Sequence, residues 1–206
     1  MIADLINVTI KNQVDSFLTK RAEINEKTDL KTLSDFINAL VIVHIRYWKF
    51  EDKIEGMDNL LTIGKLKQET NSLFKVQRPE LIKSIDKIIL DLLRKNYSIE
   101  NLDCQLELSI VDNLEFIGSP DRFDLLYSDT LSELIDKLVI IQIRRWYLKS
   151  SLLDKTTSEK TLKLDIIERK KIPMLVGCLN KLLILIASNK VDFVPINVKF
   201  YQGVNK

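Results

Sequence analysis

Thr32–Asp52 reads TLSDFINALVIVHIRYWKFED, and Thr130–Ser150 reads TLSELIDKLVIIQIRRWYLKS. Aligned without gaps at an offset of 98, the two stretches share 10 of 21 residues. Unrelated segments of average composition would share about one or two. Within the first stretch, Leu33, Ile37, Leu40, Val41, His44, Ile45 and Trp48 fall at the i, i+3, i+4 spacing of one helix face, and the second stretch repeats the pattern. Asp29 or Thr32 can cap the first helix, and Asp129 or Thr130 the second.

A second correspondence follows each copy. RPELIKSIDKIILDLL begins at Arg78 and IPMLVGCLNKLLILIA at Ile172, which brings Pro79 onto Pro173, Leu81 onto Leu175 and Lys87 onto Lys181 at an offset of 94. The elements come in the same order twice, so the chain reads as an ancient duplication. Proline is tolerated in the first helical turn, where its missing N–H has no intrahelical partner, so both prolines are read as helix starts. The expected architecture is all-α, a bundle of about seven helices in two pseudo-symmetric halves. The helices are expected at 3–25, 31–55, 58–76, 79–96, 122–152, 157–170 and 172–188. One domain spans 1–206, with the first repeat at 28–96 and the second at 122–189. Residues 97–120 form a linker whose CQLELSIV portion alternates as a short strand does, and 190–206 is an extended, apolar tail.

Composition fits this reading. The chain has 206 residues, 46% hydrophobic and 29% charged, with only 5 Gly and 4 Pro, which disfavours a turn-rich β protein and excludes wholesale disorder. A net charge of +2 gives no electrostatic argument for nucleic acid or for a membrane surface. The apolar runs Leu138–Ile143 and Leu182–Ala187 fall far short of the ~20 residues of a membrane span. The N-terminal stretch has no continuous apolar core of a signal peptide. Cys104 and Cys178 stand apart, without a CxxC pair or a histidine cluster. These features point to a cytoplasmic protein with two thiols, and the apolar tail to a homo-oligomer.

Candidate functional residues lie on the repeated helix. Positions 34, 38, 42 and 46 form one stripe, as do 132, 136, 140 and 144. They place Asn38 and Arg46 in one half and Asp136 and Arg144 in the other. The expectation is that Arg46 and Arg144, flanked by Trp48 and Trp146 and accompanied by His44 and Gln142, are buried and face each other across a pseudo-twofold axis. Arginine forks phosphate or carboxylate and tryptophan stacks on flat rings, so such a site would take a nucleotide-like anionic ligand. The plainer reading is structural: each arginine bonds an internal carboxylate (Asp35, Asp136 or Glu133) and each tryptophan fills core. His44 is the only histidine, so a histidine metal site is not formed, and no metal or other cofactor is implied.

Catalytic templates are sparse. Glu23-x-x-Glu26 and Glu55-x-x-Asp58 match the carboxylate spacing of helical Mg²⁺-dependent nucleotide pyrophosphohydrolases, although Gly56 reads as a helix C-cap within the second pair. Phosphate-binding loops, dinucleotide fingerprints and nucleophile elbows are absent from the sequence. The LSxLIDKLVIxxIRxW pattern over 131–148, and more loosely 33–52, resembles uncharacterised all-helical bacterial and phage families. In these a Leu-Ile-Asp-Lys-Leu helix precedes a basic and an aromatic residue. The resemblance implies an all-helical fold and brings no activity; the first copy departs from it with Asn38-Ala39 where the second has Asp136-Lys137. The leading functional reading is a non-enzymatic binding or interaction protein. A binder, or phage-type scavenger, of a phosphorylated small molecule comes second, and the Mg²⁺-dependent hydrolase third.

Overall fold

Two threonines start the repeated helices in the same way. Thr32 Oγ1 accepts from the Asp35 N–H at 3.1 Å, while Asp35 Oδ2 accepts from the Thr32 and Lys31 N–H groups at 2.9 Å. Thr130 Oγ1 accepts from the Glu133 N–H at 3.2 Å, and Glu133 Oε2 accepts from the Thr130 N–H at 2.9 Å. These are reciprocal capping boxes, each satisfying N–H groups that a helix start leaves without an intrahelical partner.

The computed structural model describes residues 2–19, 29–55, 57–94, 130–154 and 157–187. Their regular structure is all helical, with no strand among them. The α-helical segments are α1 (Ile2–Thr19), α2 (Leu33–Glu55), α3 (Leu60–Ser72), α4 (Arg78–Arg94), α5 (Leu131–Asp154), α6 (Ser158–Ile166) and α7 (Ile172–Ala187). Two single π-turns, π1 (Leu73–Gln77) and π2 (Ile167–Lys171), fuse α3 to α4 and α6 to α7. The described chain therefore makes five helices and not the expected seven.

The reason lies at the prolines. In a straight α-helix the ring of Pro79 would strike the carbonyl four residues back, and its absent N–H would orphan that carbonyl. Here the turn before each proline widens: the Arg78 N–H donates to Leu73 O, and the Ile172 N–H to Ile167 O. The prolines sit inside continuous rods. The other expected boundaries agree within a few residues where they can be compared. Residues 20–28, the strand proposed within 97–120, the helix start at 122–129 and the tail at 190–206 lie outside the described residues, as does the oligomer reading built on that tail.

The two helices of the repeated sequence have corresponding neighbours. α2 packs on α3, π1 and α4, and α5 packs on α6, π2 and α7. α1 lies against α2, α5 and α7, while α4 crosses to α5 and α7. One core joins the described helices through Ile6 and Ile10 of α1, Ile37 and Leu40 of α2, Ile85 of α4, Ile135 and Leu138 of α5, and Leu179 of α7. Burying each such side chain contributes about 1.5–3 kcal/mol relative to exposing it. No described helix is long and apolar enough to cross a membrane.

Candidate functional site

The most deeply buried carboxylate of the repeated helices is Asp136. Its Oδ1 lies 2.7 Å from His44 Nε2 and accepts from Arg78 Nε at 3.0 Å, and its Oδ2 accepts from Arg78 Nη2 at 2.6 Å. His44 is 1% exposed and Asp136 2%. Burial alone would raise the Asp136 carboxyl, but the bonds from His44 and Arg78 outweigh it and hold the carboxyl below the ordinary carboxylate range. Facing an ionised acceptor, His44 carries its proton on Nε2. Phe74 of π1 closes the cluster, edge-on to the His44 ring at 5.6 Å and 4.9 Å from the Arg78 guanidinium.

Sequence reasoning named His44 and Asp136 but paired neither with the other, because they are 92 residues apart; Arg78 was missed. Arg78 shows no signal of its own in the sequence beyond its place before Pro79. The cluster joins α2, α4 and α5 in the interior, and only Arg78 reaches water, at 26% exposed. It is a structural clasp.

The expected arginine pair takes another form. Arg144 is exposed, not buried, and its guanidinium lies 6.0 Å from the centre of the Trp48 ring. Arg46 is half-buried. The more deeply set guanidinium of IRRW belongs to Arg145, 11% exposed, which donates to Glu168 Oε1 at 2.8 Å. Helical phase explains the exchange: Arg145 is three residues after Gln142, which faces α1 through its bond to Asn7 Oδ1 at 2.9 Å. Of the carboxylates expected to pair an arginine, Asp136 pairs Arg78, while Asp35 and Glu133 close the capping boxes.

The tryptophans flank one ring. Trp48 stacks on Tyr147 with centroids 6.0 Å apart and planes 26° apart, while Trp146 meets Tyr147 edge-on at 5.4 Å. Trp146 Nε1 donates to Thr19 Oγ1 at 3.3 Å, which directs that ring toward α1. Trp48, Tyr147 and Arg144 line a cleft of about 580 Å³ between α5 and the α6–π2 arm. Ile141, Leu148, Ile166 and Ile167 form its apolar lining, and Lys163 and Lys171 add charge. Burial, and then the Asp52 carboxylate, push the Tyr147 hydroxyl above its usual range, so it remains a neutral donor at physiological pH. Asn38 lies elsewhere, in a groove of about 390 Å³ between α2 and α4 with Asp35, Phe36, Gln77 and Glu80. Seven of the eight sequence candidates are thus divided between the clasp, the cleft, the α1 contact and this groove, Arg46 lines neither the cleft nor the groove, and the eight do not form one pocket.

Among the described residues no group of three or more His, Cys, Asp or Glu side chains is placed to hold a metal ion. Glu55 and Asp58 are exposed, and Glu23 and Glu26 lie outside the described residues. The fold and these sites define an all-helical protein with an interior charged clasp and an aromatic, cationic cleft. No known protein family, curated protein or solved structure matches the chain.

Proposed function

We propose that this chain is a non-enzymatic helical binding protein made of two duplicated halves, and that its cleft between α5 and α6–π2 takes an anionic ligand with a flat ring. The observation that carries the reading is the composition of that cleft: two aromatic residues, four aliphatic ones and three cations, with no carboxylate among the described lining residues. Its volume falls within the ~300–1,000 Å³ of small-molecule sites. Arg144 beside Trp48 sets a positive charge next to a ring face, the pairing that suits an aromatic anion. The non-catalytic part is supported by the lining hydroxyls: Ser151 donates to Leu148 O, Tyr147 stays protonated, and no His, Asp or Glu stands among the described lining residues to act as their base. The duplication is supported by the paired capping boxes, the π-turns placed alike before Pro79 and Pro173, and the matching neighbours of α2 and α5.

A thermal-shift panel of flat-ring anions tests the reading. Free ligand at 100 times its dissociation constant adds about 2.7 kcal/mol, which is a rise of a few degrees for a chain of this size. Arg144→Gln should abolish the rise while leaving the unliganded Tm nearly unchanged, because Arg144 is exposed. A panel in which no flat-ring anion raises Tm rejects the cleft as the binding site.

A further inference from the structure

Resting on the cleft reading above, we infer that the ligand is a metal-free phosphomonoester of a planar heterocycle, in the chemical class of a nucleoside 5′-monophosphate. The charge balance of the cleft sets the class. Three cations line it, Arg144, Lys163 and Lys171. Lys163 is engaged by Glu159 one turn earlier on α6, at 2.5 Å. Among the described residues neither Arg144 nor Lys171 has an ion-pair partner, so two positive charges at the cleft are matched by no described ion pair. A phosphomonoester carries about −1.5 to −2 charge near pH 7 and three strong acceptor oxygens, which matches two such cations. A carboxylate or sulfonate would leave one of them unanswered.

The same lining argues against a magnesium-chelated polyphosphate. Proteins hold such complexes by giving the metal one or two carboxylates beside the phosphate oxygens. No carboxylate is among the described lining residues, and a divalent cation brought in with the ligand would meet Arg144 and Lys171 with like charge. The ring end is built differently. Trp48 and Tyr147 stack nearly parallel, and Ile141, Leu148, Ile166 and Ile167 surround them with apolar area. A bare phosphate could use the cations but would leave that wall unused. A nucleoside could use the wall but would leave the cations unanswered. Arg144 lies 6.0 Å from the Trp48 ring centre, so one ligand can engage both features only if its anion is attached close to its ring system. A ribose-linked 5′-phosphate holds its anion close to its base, whereas the phosphate of a flavin mononucleotide sits farther out on an open ribityl chain.

The test is isothermal titration of the full chain at pH 7.5 with adenosine and guanosine, their 5′-monophosphates, adenosine triphosphate, flavin mononucleotide, riboflavin, inorganic phosphate and 8-anilinonaphthalene-1-sulfonate, each with and without Mg²⁺. A nucleoside monophosphate should bind at least about tenfold tighter than its nucleoside and than inorganic phosphate, since each charge-assisted bond is worth that much. Mg²⁺ should leave that affinity within about twofold. Arg144→Gln and Lys171→Gln, both at exposed positions, should each weaken the monophosphate about tenfold and leave the nucleoside unchanged. Monophosphate binding no tighter than that of the nucleoside overturns this inference and leaves the cleft reading in place. A requirement for Mg²⁺ overturns the metal-free assignment. Binding by flavin mononucleotide without any nucleoside monophosphate overturns the nucleoside part. Failure of every flat-ring anion, the naphthalene sulfonate included, overturns the cleft reading itself.

Discussion

Asp136 accepts from an imidazole and a guanidinium, whereas Asp86 accepts from the Ser132 N–H at 2.9 Å and has the Glu133 carboxylate nearby. Burial pushes the Asp86 carboxyl up, and its bonds to Ser132 and Thr130 offset that only in part. The two buried aspartates therefore act on stability with opposite signs. Asp136 has a folded pKa below its unfolded value of about 3.9, so its contribution is present above that value and is lost as pH falls through it toward the folded pKa. Asp86 has a raised folded pKa, so its contribution is present below about 3.9 and is lost as pH rises through the folded pKa. Asp136→Asn should cost about 3 kcal/mol at neutral pH, the lower end for a broken buried pair because Arg78 keeps some access to water. Asp86→Asn keeps an acceptor for the Ser132 N–H and should raise stability at neutral pH. Asparagine is already the residue that aligns with Asp86 at the offset of 94, the buried Asn180. Urea denaturation between pH 3 and pH 7 measures both, and equal signs for the two variants would contradict the assigned roles.

The repeated helices were legible because their signals are local. A threonine three residues before an acid marks a capping box, and the apolar spacing of Leu33, Ile37, Leu40 and Val41 marks a buried face. The π-turns were not legible, because Pro79 and Pro173 also suit a helix start and the extra residue of a π-turn leaves no spelling of its own. The clasp was hidden for a different reason: a contact between residues 44 and 136 depends on how helices cross, which periodicity does not encode. Arg144 and Arg145 are adjacent, and only the phase of α5 against α1 decides which is sheltered. The π-turn offers a direct test. It holds one residue more than an α-turn, so deleting exposed Val76 together with Pro79→Ala should give a straight rod with α3 and α4 in their present phase. That variant should unfold cooperatively within a few degrees of the parent. Deleting Lys87 instead turns the following residues by about 100°, carries Ile89 and Leu90 out of the core, and should abolish the transition. Similar melting of the two deletions by circular dichroism would show that π1 does not absorb the extra residue.

On the scale of the molecule, neither the 28–96 nor the 122–189 segment closes its own core. Ile85 and Ile89 of α4 are buried with help from α5 and α7, and α1 spans both halves by touching α2, α5 and α7. A separate 28–96 segment would expose those faces, and a chain so short is marginal in stability on its own. Under the duplication reading, two copies of that segment can cover each other as the halves do now. The clasp makes the consequence specific. In the intact chain His44 and Arg78 belong to the first half and Asp136 to the second, and the residue matching Asp136 in the first half is Asn38. Two copies of 28–96 would thus set His44 and Arg78 of each against a neutral Asn38 of the other. Asn38→Asp would supply both missing carboxylates at once. With charge-assisted bonds worth about 1.5–3 kcal/mol, the change should tighten self-association by more than about tenfold, as read by sedimentation equilibrium. The gain should vanish on adding Arg78→Ala, and it should fade as the pH drops below about 4, where the new carboxyls take up protons. Self-association that Asn38→Asp leaves unchanged or weakens would mean that the two halves do not meet through equivalent surfaces.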